Sequence, residues 1–169
     1  MAKVTSFEDL IVWQNAHILA EKTYVLSRKY LQKEYQLNNQ MSGAVLSISN
    51  NISEGFEYNN RKDFSRFLVY AKGSAGEVRN MVYFMFNVKI INEEIKNELI
   101  KDCKEISSQL KKLIQHLAAF SNTKPTGNNK SSYVAESQED YEPDFLTILS
   151  NINTEETFTH LKPCNFSTL

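Results

Sequence analysis

Residues 42–79, SGAVLSISNNISEGFEYNNRKDFSRFLVYAKGSAGEVR, decide the fold. They read as the end of one helix, a polar turn at Asn59-Asn60, and most of a second helix. In the second, Phe64, Leu68, Ala71, Ala75, Val78, Val82 and Met85 recur at spacings of 4, 3, 4, 3, 4 and 3. Heptad spacing of this kind keeps one seam of a helix turned toward a neighbour in left-handed bundle packing. Asn60 can cap the first turn, with Asp63 at the capping-box position. Upstream, Leu37, Met41, Val45, Ile48 and Ile52 form a core stripe that predicts a helix from about Leu37 to Phe56. Gly55 is placed to loosen or end it.

Two more helices flank this pair. Thr5-Ser6-Phe7-Glu8 fits a capping box for a first helix running to about Tyr30. Leu10, Trp13, His17, Ala20 and Tyr24 lie on one of its stripes, with Trp13 as a core anchor and His17 as a partly buried, structural histidine. Asn92 and two following acids open a last helix, from about Glu93 to Phe120, with Ile95, Leu99, Ile106, Leu110, Leu113, Leu117 and Phe120 on its apolar stripe. Cys103 fills the gap in that stripe as a small core residue. Residues 1–120 are therefore an all-α helical bundle.

Residues 121–169 change character. A linker rich in Pro, Gly, Asn and Ser leads into a polar, acidic segment, read as mostly disordered. Phe145, Leu146, Ile148, Leu149 and Ile152 can form one short amphipathic helix near 143–152, a candidate docking motif. Net charge is −1 over the chain, split into +3 for residues 1–120 and −4 for residues 121–169. The balance does not select for or against nucleic acid, and the tail can shield a basic surface.

Some residue choices are poor for a helix. Gly43, Ser47, Asn50 and Glu54, with Asn51 nearby, make a Ser/Gly/Asn stripe where Lys, Glu and Gln would favour a helix more. Packing or a subunit contact explains it best, and a ligand or nucleic-acid surface is the alternative. Phe67, Tyr70, Ser74, Met81 and Phe84 widen the apolar side of the third helix beyond what one core needs, which favours an oligomer. The opposite sector holds Arg61, Lys62, Arg66, Lys72 and Arg79 with Gly73 and Gly76. Clustered cations of this kind are the electrostatic footprint of phosphate binding, although a solvated helix face looks the same.

Catalytic chemistry finds no support. No metal, nucleotide or redox motif is present, and His17, His116 and His160 are scattered. Glu54 and Glu77 are the inner-face carboxylates to watch, as hydrogen-bonding groups before acids. Cys103 and Cys164 are read as free thiols in a reducing cytoplasm. Met1 to Glu8 lacks the apolar core of a secretion signal, and no run is long enough to span a membrane.

Four quoted segments carry a family resemblance: SFEDLIVWQNAHILA, LSISNNISEGF, RKDFSRFLVYAKGSAGEVR, and INEE with the leucine-rich helix after it. Over about residues 6–120 the chain resembles the bacterial four-helix bundle proteins, also called 23S ribosomal-RNA intervening-sequence proteins. The resemblance implies an antiparallel up-down-up-down bundle and a ring-like homo-oligomer, a pentamer, with no enzymatic activity and no cofactor. Similar bundles accompany diversity-generating retroelements, where they assist a reverse transcriptase and bind nucleic acid. The motif positions carried over are Asn51, Glu54, Gly55, Phe64, Phe67, Leu68, Lys72, Gly73, Ser74, Gly76, Glu77 and Arg79. Two features depart from the pattern: no proline precedes the second helix, and the tail beyond residue 120 is extra. The expected function is a non-catalytic oligomer that binds RNA or DNA. The alternative is a scaffold recruiting a protein partner such as a reverse transcriptase.

Overall fold

A computed structural model describes residues 4–119, 145–153 and 158–163. After a 3-10 turn at Phe7–Asp9 come α1 (Ile11–Tyr30), α2 (Tyr35–Glu57), α3 (Arg61–Asn87), α4 (Glu93–Ala119) and α5 (Phe145–Ile152). The first four form the bundle, and cross-helix bonds fix its antiparallel register. Asn15 and Lys22 of α1 bond to Gln109 and Asp102 of α4, and Ser47 of α2 meets Ser74 of α3. The heptad stripe of α3 is buried throughout, from Phe64 to Met85. Leu19, Ile48, Ile52, Ile106 and Leu110 close the same core.

The turns follow the sequence closely. Asn59 takes a left-handed φ of 51°, which asparagine tolerates better than most residues. The Asn60 side chain accepts the Asp63 backbone N–H at 2.9 Å. At the end of α3, Lys89 sits at φ 62°. Its N–H bonds to Phe86 and that of Ile90 to Met85, which is a Schellman stop built without the usual glycine. Asn92 then caps α4 by accepting from the Ile95 N–H at 2.9 Å.

Three expectations need correcting. Gly55 neither loosens nor ends α2, which continues to Glu57. Gly55 is buried against α3: a Cβ on it would lie 2.6 Å from the Cβ of Phe67. The first turn is organised by Asp9 rather than Glu8. Its carboxylate accepts the Thr5 N–H, the Thr5 hydroxyl and the Ser6 N–H at 2.8–3.0 Å, and these bonds hold its pKa below the usual carboxylate value. The buried face of α1 is also turned from the expected stripe. Val12, Ala16, Leu19, Thr23 and Leu26 face the core. Trp13 is only half-buried between Phe7 and an exposed His17, and Tyr24 is exposed. Large aromatic residues drew the expected stripe toward them, whereas the real seam is built from smaller residues.

The described parts of the tail pack on the bundle. Helix α5 coincides with the short helix expected near 143–152. Its Phe145 ring meets Phe64 edge-on at 5.4 Å and Phe56 at 6.1 Å, covering the end of the bundle. Leu10 at the start of α1 has no capping side chain. Asn153 supplies one from a distance, accepting the Ile11 N–H at 2.9 Å and donating to the Asp9 carbonyl at 2.6 Å. The expected disorder falls mainly on residues 120–144, 154–157 and 164–169, which lie outside the described residues, as does Cys164.

Candidate assembly and nucleic-acid surfaces

The α2–α3 pair carries the first surface. Across the seam the Ser47 and Ser74 hydroxyls are 2.9 Å apart, and Asn51 donates to the Ser47 carbonyl and hydroxyl. Together with Gly55, these groups hold the two helices close within one chain. Gly43, Gly73 and Gly76 do not: a Cβ on any of them would meet nothing within 4 Å. An interior glycine costs about 1 kcal/mol relative to alanine, and nothing in the packing of the described residues requires one at these three positions. On α3, Tyr70, Gly73, Glu77 and Phe84 share one stripe by their spacing of 3, 4 and 7. On α2, Gly43, Ser47, Asn50 and Glu54 share another. The Ser47–Ser74 contact brings the stripes side by side. Tyr70 is 53% exposed and Phe84 52%, so two aromatic rings flank a floor of small residues.

Glu54 and Glu77 are exposed on this outer face, not turned inward. The register is set by Gly55 against Phe67 and Ser47 against Ser74. It separates the two carboxylates by roughly ten residues along the helices, on the order of 15 Å at 1.5 Å per residue. They do not form an acid–base pair. Among the described residues, no group of three His, Cys, Asp or Glu is placed to hold a metal ion.

The second surface is basic. Lys62 and Lys72 are exposed, and Arg61 and Arg79 are part-buried. Arg66 lies 2.9 Å from the Asp63 carboxylate, with its guanidinium 5.3 Å over the Phe67 ring, so much of its charge is already answered. Lys72 and Arg79 are seven residues apart on the α4 side of α3. Arg79 lies near Cys103, whose thiol burial pushes up to about 12 with Asp102 adding to the effect and Arg79 opposing it. Helix α4 adds exposed Lys104 and Lys111, also seven apart. The α3–α4 register, with Lys96 4.2 Å over the Phe86 ring, aligns these four cations in one strip. By sequence alone Lys104 and Lys111 match the dipole at the C-terminal half of the last helix, and only the fold brings them beside α3.

Between α1 and α4 lies a buried ion cluster. Lys22 is 3% exposed, with its ammonium 2.7 Å from Asp102 and 2.8 Å from Glu98. Burial pushes the Asp102 carboxyl up, against the pull of Lys22. Burial also works to lower Lys22, but hydrogen bonds to Asp102 and Glu98 outweigh it and its pKa is raised.

The model of the 23S rRNA-intervening sequence protein family matches residues 8–112. The chain belongs to this family. The match spans α1 to most of α4 and includes both surfaces. It ends before α5 and the segment 158–163, so the tail lies outside the matched region. A search of curated proteins found no match. The intervening-sequence protein family is not a known enzyme family. No helix among the described residues is long and apolar enough to cross a membrane.

Proposed function

We propose that this intervening-sequence protein is a non-catalytic bundle that assembles through its α2–α3 face and binds nucleic acid along the α3–α4 basic strip. The observation that carries the reading is the pair of glycines at 43 and 73, each with open space around it among the described residues, beside exposed Tyr70 and Phe84. Helix positions with a standing cost and no use among the described residues gain a use when another copy packs there. A ring, of five copies by the family resemblance, repeats each strip of Lys72, Arg79, Lys104 and Lys111 around its circumference. Repetition turns a modest patch into a strong phosphate-binding surface.

The test is binding of single-stranded RNA and duplex DNA by the full chain across a salt series. Each lost phosphate contact should lower the log–log salt slope by about 0.7 on single strands and about 0.9 on duplex. Lys72→Ala with Arg79→Ala should therefore flatten the slope, and Arg66→Ala, already paired with Asp63, should change it less. Salt-insensitive binding, or an unchanged slope in the double variant, removes nucleic acid from the proposal. What then remains is a scaffold that recruits a protein partner.

A further inference from the structure

Residues 158–163, outside any helix or strand, occupy the seam between α1 and α4, and the seam is built to receive them. Asn15 is fully buried, and its side-chain amide addresses the tail backbone from both ends. It donates to the Thr159 carbonyl at 2.7 Å and accepts the Leu161 N–H at 2.8 Å. Gln109, 1% exposed, donates to the same Thr159 carbonyl at 2.8 Å and accepts from Asn15 at 2.9 Å. Phe158 and Leu161 are buried on either side of this clamp, at 2% and 9% exposure. The Thr159 hydroxyl donates to Glu105 at 2.9 Å, and the Thr159 and His160 side chains stay exposed. Two buried amides thus read the tail backbone, and two apolar sites read the residues at i and i+3. This is peptide recognition, with the protein's own tail as the peptide.

The route from α4 to this ligand does not require the groove of the same molecule. Asn15–Gln109 and Lys22–Asp102 put the C-terminal end of α4 level with the start of α1. Phe145 packs on Phe56 and Phe64 at that same end. Ala119 and Phe145 therefore flank one end of the bundle, yet 25 residues, 120–144, join them. At 3.3–3.6 Å per residue that length of chain reaches as far as about 80–90 Å. Closing on its own bundle needs a small part of this reach.

We propose that the α1–α4 seam is a peptide-binding groove whose second occupant is the 145–163 segment of another copy, so that copies of this chain exchange tails. The groove lies on the side of the bundle opposite the α2–α3 face. Exchange needs neither nucleic acid nor that face, and it links copies through a different surface.

Paired cysteine variants of the full chain test the exchange. Cys164→Ser is introduced throughout, and Cys103, fully buried, stays unreactive. One preparation carries Glu105→Cys and the other Thr159→Cys, positions whose native side chains touch at 2.9 Å. The two are mixed, equilibrated and treated with a short bismaleimide. Tail exchange predicts a covalent heterodimer at least several-fold above the homodimer background of either preparation alone. Adding Phe158→Ala to the Thr159→Cys chain should return it to background. A chain carrying both cysteines reports docking itself. If that chain cross-links internally while the mixture gives only background, the tail stays in its own groove and exchange is refuted. If neither cross-links, the groove does not bind this segment and the proposal falls with it.

Discussion

Alanine at position 55 separates the two uses of glycine in this bundle. Its Cβ would lie 2.6 Å from the Phe67 Cβ, 3.1 Å from the Phe67 Cγ and 3.2 Å from the Phe64 Cδ2. Carbon atoms in contact prefer about 3.5–4.0 Å, so α2 and α3 must part by about 1 Å. The Phe67 Cβ is fixed to its backbone and cannot rotate aside. Overpacking of this kind costs about 1–3 kcal/mol, and replacing a helical glycine with alanine returns about 1 kcal/mol. The net expectation for Gly55→Ala is a loss of up to about 2 kcal/mol. Gly43→Ala and Gly73→Ala meet open space, so each should stabilise the separated subunit by about 1 kcal/mol. Urea unfolding of dilute protein, followed by the fluorescence of the single tryptophan Trp13, reads the difference. With a slope of about 1–3 kcal/mol per molar urea, the midpoints of Gly55→Ala and Gly73→Ala should differ by about 1 M, on opposite sides of the parent. A shift in the same direction for both would refute the assignment of Gly55 to packing and of Gly73 to an open face.

The remaining expectations concern the ion cluster, the α3 stop and the end cap. Lys22→Ala leaves Asp102 buried without its counter-charge and should cost about 3–5 kcal/mol, whereas Asp102→Asn should cost less because Lys22 keeps Glu98. The folded Asp102 carboxyl titrates above its unfolded value of 3.8, so its contribution is complete below about 3.8 and declines as pH rises through the folded pKa. Asp102→Asn should therefore lose less stability relative to the parent at pH 7 than at pH 4 in paired urea titrations; the opposite trend would contradict the sign. Lys89→Gly removes a left-handed side-chain conformation and should raise stability by up to about 1 kcal/mol in the same assay. Phe145→Ala should speed hydrogen exchange at the Ile11 amide, which Asn153 caps, and leave amides in the middle of α3 unchanged.

The helices of this family member were legible because their signals are local. The α3 heptads, the Asn60 and Asn92 caps and the turn at Asn59 each depend on residues within a few positions. What was not legible depends on the partner helix. Lys22 and Asn15 drew no reading from the sequence: only the fold brings Asp102 and Glu98 of α4 to the one and encloses the other with Gln109 and the tail. Gly55 resembled a helix end because its sequence does not reveal that Phe67 will lie against it. The α3 half of the basic strip was visible as a run of Lys and Arg, but the α4 half needed the fold. The Asp63–Arg66 pair, three residues apart on α3, is local and was open to the sequence; it was missed because Asp63 was read only as part of the cap.

Sedimentation velocity of the full chain and of Gly73→Arg, at equal micromolar concentrations, tests the assembly face most directly. The parent should sediment as a single closed species, with the mass of five subunits that the family resemblance implies. Gly73→Arg should give a smaller species, with helix content unchanged by circular dichroism. A parent that sediments as one subunit, or a Gly73→Arg variant that keeps the parent's mass, would contradict assembly through this face.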